Sequence, residues 1–128
     1  MESKFTFPIR VYWEDTDGGG IVYYANYLKF AERARTEWLR SLGYDQTALR
    51  DERGILFVVR ECRVKYKHPA RLDDELTVTV RVANATKHKL LLQQEIFCGD
   101  KICAQLEIEL VTVDAAAGKL KELPISFD

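Results

Sequence analysis

One amphipathic helix, with an acidic turn and a triple glycine in front of it and a run of strands behind it, most constrains how this chain can fold. In residues 13–43, WEDTDGGGIVYYANYLKFAERARTEWLRSLG, apolar or small residues recur at Tyr27, Phe30, Ala31, Ala34, Trp38 and Leu42. That is the spacing of one buried helical face, with Lys29, Glu32, Arg33, Glu37 and Arg40 on the other. The pattern predicts a helix from Asn26 to Leu42, roughly 25 Å long from the rise per residue. Asn26 reads as its N-cap, and Gly43 as the residue of positive φ that ends it. Arg33 and Glu37, one turn apart, read as a surface ion pair.

The segment before the helix gives it a chemical meaning. Gly18, Gly19 and Gly20 let backbone approach a ligand closely, and the helix beyond them turns its unpaired N–H groups and positive dipole end toward the turn. Such a place suits an oxygen that carries negative charge. Asp15 and Asp17 lie in the same turn, so a carboxylate there can act on a carbonyl held by the helix N-terminus. Asp and Gly are also ordinary turn residues, and local spacing alone leaves the structural reading beside the catalytic one.

Length and charge narrow the classes. A chain of 128 residues, 47% hydrophobic and 30% charged, fits one globular domain spanning 1–128. A net charge of −1 gives no overall electrostatic reason to expect nucleic acid or an anionic membrane as partner. No apolar run is long enough to span a bilayer, and MESKFTFPIR lacks the apolar centre of a secretory signal, so a cytoplasmic protein is expected. Cys62, Cys98 and Cys103 are odd in number and lack CxxC spacing, which argues against a disulfide framework and a structural metal site. They read as reduced thiols in strands.

Read in order, FTFPIRVYW (5–13) alternates like a first strand, and its early proline suits a sheet edge. YDQTALRDER (44–53) reads as a short helix capped by Asp45 and ended by Gly54. ILFVVRECRVKY (55–66), rich in Val, Ile and Phe, reads as a second strand with substantial burial, broken by His68-Pro69, and Asp73 and Asp74 as a turn. LTVTVRV (76–82) alternates most clearly, and strands over 90–98 and 102–113 flank a Gly99-Asp100 hairpin. One helix with five strands in this order predicts an α+β domain with an antiparallel sheet curled around the helix, and an uncovered edge for a second subunit.

The runs YWEDTDGGGIVYYANYLKFAERAR (12–35) and RLDDELTVTV (71–80) resemble the hot-dog-fold acyl-CoA thioesterases of the 4-hydroxybenzoyl-CoA thioesterase and YbgC-like group. The resemblance implies a long central helix wrapped by a five-stranded antiparallel sheet, homodimers or homotetramers, and hydrolysis of an acyl-CoA without metal or cofactor. Carried over to this chain, it puts the catalytic carboxylate at Asp17, as nucleophile or general base. It puts the carbonyl-polarising N–H groups at Tyr24 and its neighbours, with Gly20 in the same turn. Many YbgC-like members have histidine, in VYHA, where this chain has Tyr24, in VYYA. The tyrosine ring there either lines the acyl pocket or packs in the core.

CoA phosphates need cationic or N–H partners, and the basic group Lys87, His88 and Lys89 resembles the nucleotide contacts of the 4-hydroxybenzoyl-CoA branch. A solvated turn is the other reading of that group, and His68 reads as a turn residue. Two alternatives to the thioesterase remain at this level. A hot-dog hydroxyacyl-thioester dehydratase calls for a histidine in the helix region, and none lies there. A non-catalytic acyl-thioester-binding protein leaves the intact EDTD turn without a role.

Overall fold

Alternating leucine and valine in ELTVTVRVANA place Leu76, Val78 and Val80 on one face of a strand, where each is almost wholly shielded from water. The same period repeats in the neighbouring strands, so one apolar sheet face is left to be covered, and a helix covers it. The computed structural model describes residues 4–124. Its elements are β1 (Phe5–Arg10), α1 (Asn26–Ser41), α2 (Gln46–Arg53), β2 (Ile55–Tyr66), β3 (Glu75–Ala85), β4 (Lys89–Cys98) and β5 (Lys101–Asp114). The strands form one antiparallel sheet in the order β1-β3-β4-β5-β2. The sheet packs on α1 through β1, β3 and β4, which is the α+β hot-dog architecture expected.

Strand order explains the connection from β2 to β3. The chain leaves β2 at one edge and must cross to β3, beside β1, near the other. Residues 67–74 make that crossing, and they are pinned along the way. Val22 N–H donates to Ala70 O at 2.8 Å, Leu72 N–H to Gly20 O at 3.2 Å, and Val11 exchanges hydrogen bonds with Asp73 and Asp74. Asp73 takes positive φ (73°), and Asp74 Oδ2 accepts from Arg71 N–H, so the expected acidic turn is present. Gly99, at φ 61°, makes the tight hairpin between β4 and β5.

Several local expectations change. The first strand stops at Arg10, and Trp13–Asp15 forms a 3₁₀ turn instead of continuing it. Asn26 is not the N-cap. Ala25 holds that position with helical angles, and the buried Asn26 side chain is drawn back to Asp15. Leu42 is 46% exposed, and Leu39 packs in the core in its place. The helix ends at Ser41, and Gly43 (φ 90°) swings the chain so that Tyr44 N–H reaches Leu39 O. Glu37 pairs with Arg40 at 2.6 Å, while Arg33 lies over the Phe30 ring. The short second helix is as expected, with Asp45 Oδ1 accepting from Thr47 N–H and Gly54 left-handed. Among the described residues no helix is long and apolar enough to cross a membrane.

The face of α1 that holds the sheet is Tyr27, Phe30, Ala31, Ala34, Trp38 and Leu39. Phe30 is fully buried among them, so Phe30→Ala should cost about 3–5 kcal/mol through lost transfer energy and a cavity. Leu42→Ala should change stability by no more than about 0.5 kcal/mol, as expected of a surface site. Urea midpoints at equal m-values check both; comparable losses would return Leu42 to the core.

Candidate active site

The acidic turn is built around Asp15. Its carboxylate is buried and accepts the Tyr12 N–H at 2.9 Å. Its carbonyl accepts two donors from the far side of the loop, Tyr23 N–H at 2.9 Å and Asn26 Nδ2 at 2.8 Å. Thr16 bridges Val22, and Asp17 N–H donates to Ile21 O at 2.9 Å. The loop from Asp15 to Tyr23 is therefore closed on itself and fastened to the first turn of α1.

Asp17 stands at the tip of this loop with its side chain exposed. Gly19 N–H donates to Asp17 Oδ1 at 2.7 Å, which fixes one carboxylate oxygen and leaves Oδ2 open. A Cβ on Gly19 would lie 3.2 Å from that same Oδ1, tighter than ordinary contact, so the carboxylate sits where only glycine leaves easy room. Gly20 has φ 81°, its N–H faces Asp17 O at 3.4 Å, and its carbonyl takes Leu72 N–H.

Behind the loop the helix starts tightly. Asn26, Tyr27 and Leu28 donate to Tyr23, Tyr24 and Ala25 carbonyls three residues back, at 2.8, 3.4 and 3.2 Å. Among the described residues no protein acceptor takes the N–H of Tyr24 or Ala25. These are the donors a helix N-terminus offers to an anion or a polarised carbonyl. The Tyr24 ring is 61% exposed and meets Tyr66 edge-on at 6.0 Å, so it lies at the surface and not in the core. Tyr66 OH donates to Tyr24 O at 3.3 Å, and Tyr27 OH accepts Ala70 N–H at 3.0 Å. Burial pushes the phenols of Tyr27 and Tyr66 up, so both stay neutral. Sequence reading did not single out Tyr66; an aromatic closing a strand directly before His68-Pro69 was the available sign.

The three cysteines lie in β2, β4 and β5 as free thiols. Burial raises the pKa of each, which keeps them protonated near neutral pH and makes them poor nucleophiles. His68 belongs to the crossing connection, its N–H donating to Cys103 O at 3.3 Å. Among the described residues no group of three or more His, Cys, Asp or Glu side chains is arranged to hold a metal.

Lys87 and His88 are in the turn between β3 and β4, and Lys89 opens β4. Lys87 Nζ pairs with Glu122 at 3.2 Å, and His88 O accepts the Thr112 N–H. Asp17 belongs to the opposite end of the sheet, where Cys98, Leu76 and Ile9 pair across strands. The ten residues of β4 separate the two places by about 30 Å at the usual rise of a strand. One chain thus brings Asp17, Gly20 and Tyr24 together and holds the basic group apart from them.

Comparison with known proteins shows the family. The chain is 43% identical over 124 residues to the acyl-CoA thioester hydrolase YbgC of Escherichia coli O6:H1, covering 96% of this chain and 92% of that protein. It is 39% identical over 127 residues to the acyl-CoA thioesterase YbgC of Haemophilus influenzae, covering 99% and 90%. A crystal structure of a probable thioesterase from Bartonella henselae superposes with a TM-score of 0.91 at 34% identity, covering 95% of this chain and all of that one. Residues 11–128 match the thioesterase-like superfamily, and the chain belongs to that family.

Proposed function

We propose that this chain hydrolyses acyl-CoA thioesters to the free acid and CoA, with Asp17 as nucleophile or general base. One observation carries the reading: an exposed Asp17 carboxylate, steadied by Gly19 N–H, stands on a closed loop fastened to the helix start, where the N–H groups of Tyr24 and Ala25 are uncommitted. The YbgC relatives named above support the substrate class. The thioester oxygen lies against the Tyr24 N–H, where the start of α1 stabilises the charge that develops in the transition state. Gly20 keeps the backbone open to the substrate. Asp17 Oδ2 then either attacks the carbonyl carbon, giving a mixed anhydride that water opens, or takes the proton of an attacking water. Either route expels CoA as a thiolate.

Asp17→Asn keeps size and polarity but removes the anion, so kcat should fall more than about a hundredfold with the melting temperature unchanged. Asp15→Asn should do the reverse, costing about 1–2 kcal/mol of stability with a smaller loss of rate, because its carboxylate holds the turn. Thiol release from a panel of acyl-CoA esters, read beside thermal melts, separates the two. An Asp17→Asn enzyme within a few fold of the parent overturns the assignment.

The same reading includes a homodimer or homotetramer. β2 is a twelve-residue edge strand, and Val58 and Val59 on it are 41% and 46% exposed. A second copy adding its own strand there satisfies the free edge and covers the valines. Val59→Glu should yield monomer by sedimentation at micromolar protein, with activity lost alongside assembly. A monomeric parent with full activity contradicts this arrangement.

A neighbouring subunit is also the natural source of Lys87, His88 and Lys89 for the CoA phosphates, since its own chain holds that group about a strand length from Asp17. Changing Lys87 and Lys89 together to Ala should raise KM for acyl-CoA and flatten its salt dependence while kcat stays nearly constant. An acyl-pantetheine, which lacks the nucleotide, should be indifferent. Equal losses of kcat/KM for both substrates would remove these lysines from the phosphate role.

A further inference from the structure

Arg35 is a partly buried arginine of α1. Its Nη1 donates to Gln94 Oε1 at 3.0 Å. Gln94 is wholly buried, and its own amide donates to Ala31 O at 3.1 Å and Thr79 O at 3.2 Å. A guanidinium carries five N–H donors. Among the described residues no carboxylate lies within ion-pair distance of this one, and the acid that acts on it is the exposed Glu32 on the same helix. Burial lowers the pKa of Arg35, the mark of a cation short of partners.

The surroundings of Arg35 connect it to the site. The helix packs chiefly on β1, β3 and β4 and α2 packs on β2, yet from Val58 to Tyr66 only Val64 is shielded even in part, so the inner face of β2 stays partly open there. Tyr66 and Cys62 are on that inner face, paired with the buried Ala104 and Ile108, and both are exposed. Leu28, one turn beyond Tyr24, is 41% exposed. At one end of this partly open face Tyr66 touches Tyr24, and farther along Arg35, whose charge acts on Cys62, lines a cavity of about 70 Å³ together with Phe57 and Val59, so that we read the face as a seam between the two.

We propose that Arg35 reads the far end of the acyl group and selects acyl-CoA esters whose tail ends in a carboxylate. The inference rests on the thioesterase reading and adds the substrate class. Tyr24 and Arg35 are about 16 Å apart in helical rise, and the arginine side chain leans back toward the helix N-terminus, shortening that gap. An acyl group with its carbonyl at the Tyr24 N–H and its tail in the seam ends beside the guanidinium. A plain alkyl tail expels water from the donors that Gln94 does not engage and leaves them unpaired. A terminal carboxylate replaces that water with charge-assisted hydrogen bonds.

The test uses matched pairs of equal length, from hexanoyl- and adipoyl-CoA to dodecanoyl- and dodecanedioyl-CoA, with kcat/KM measured for each. The parent should favour the carboxylate member by about tenfold or more at the lengths that reach Arg35 and show no preference at the shortest. Arg35→Met should bring the ratio near one, and Arg35→Lys should keep part of it; general damage to the fold would lower both members of a pair alike. Parent ratios near one, or favouring the alkyl member, at every length overturn the role of Arg35 even if the variants fail to fold. A persistent preference in folded Arg35→Met does the same. Absence of turnover with every ester instead overturns the thioesterase reading itself.

Discussion

The carbonyl oxygen of Asp15 is the fastening on which the site depends. It receives one hydrogen bond from the backbone of Tyr23 and one from the side chain of Asn26, so a turn and a helix start are held by a single acceptor. Hydrogen bonds of this kind contribute only about 1 kcal/mol each to stability, but buried donors left without them cost more. Their larger effect here is geometric. They set the Asp17 loop against the first turn of α1 and leave the Tyr24 and Ala25 N–H groups uncommitted, an arrangement that would otherwise have to be ordered when substrate binds.

Sheet order supplies the second constraint. Because β2 and β3 lie on opposite sides of β4 and β5, the connection between them must traverse the molecule, and it does so against Gly20 and Val22. The crossing buttresses the Asp15–Tyr23 loop. It also leaves β2 as an edge strand most of whose residues are exposed.

Much of this was legible in the sequence because it is local. Richness in Val, Ile and Phe gave β2 at its observed bounds, though as an edge strand it is mostly exposed where burial was expected, and Asp45 and Gly54 marked both ends of α2 because their partners lie within a few residues. What failed was non-local. Asn26 has the chemistry of an N-cap, but its partner is the carbonyl of Asp15 across the loop. Leu42 kept the helical period, yet the left-handed Gly43 turned the chain before it could be buried. The basic turn 87–89 and Asp17 seemed parts of one site until strand order set them at opposite ends of β4. Asp17 was visible as a turn residue, and the wider run around it, by its resemblance, suggested chemistry. Arg35 passed unnoticed because an arginine between two helical faces looks like any surface charge until its glutamine partner on β4 is known.

The triple glycine is three different positions. Gly20 needs a backbone that side chains rarely adopt, and Gly19 must leave space for Asp17 Oδ1, whereas nothing lies within 4 Å of where a Cβ on Gly18 would be. The run is therefore not a flexible hinge but a shaped strap with one open link. Natural variation and laboratory libraries alike should find Gly18 permissive while its two neighbours stay fixed, so a residue introduced at 18 becomes a handle for altering the rim of the site without disturbing the carboxylate it surrounds.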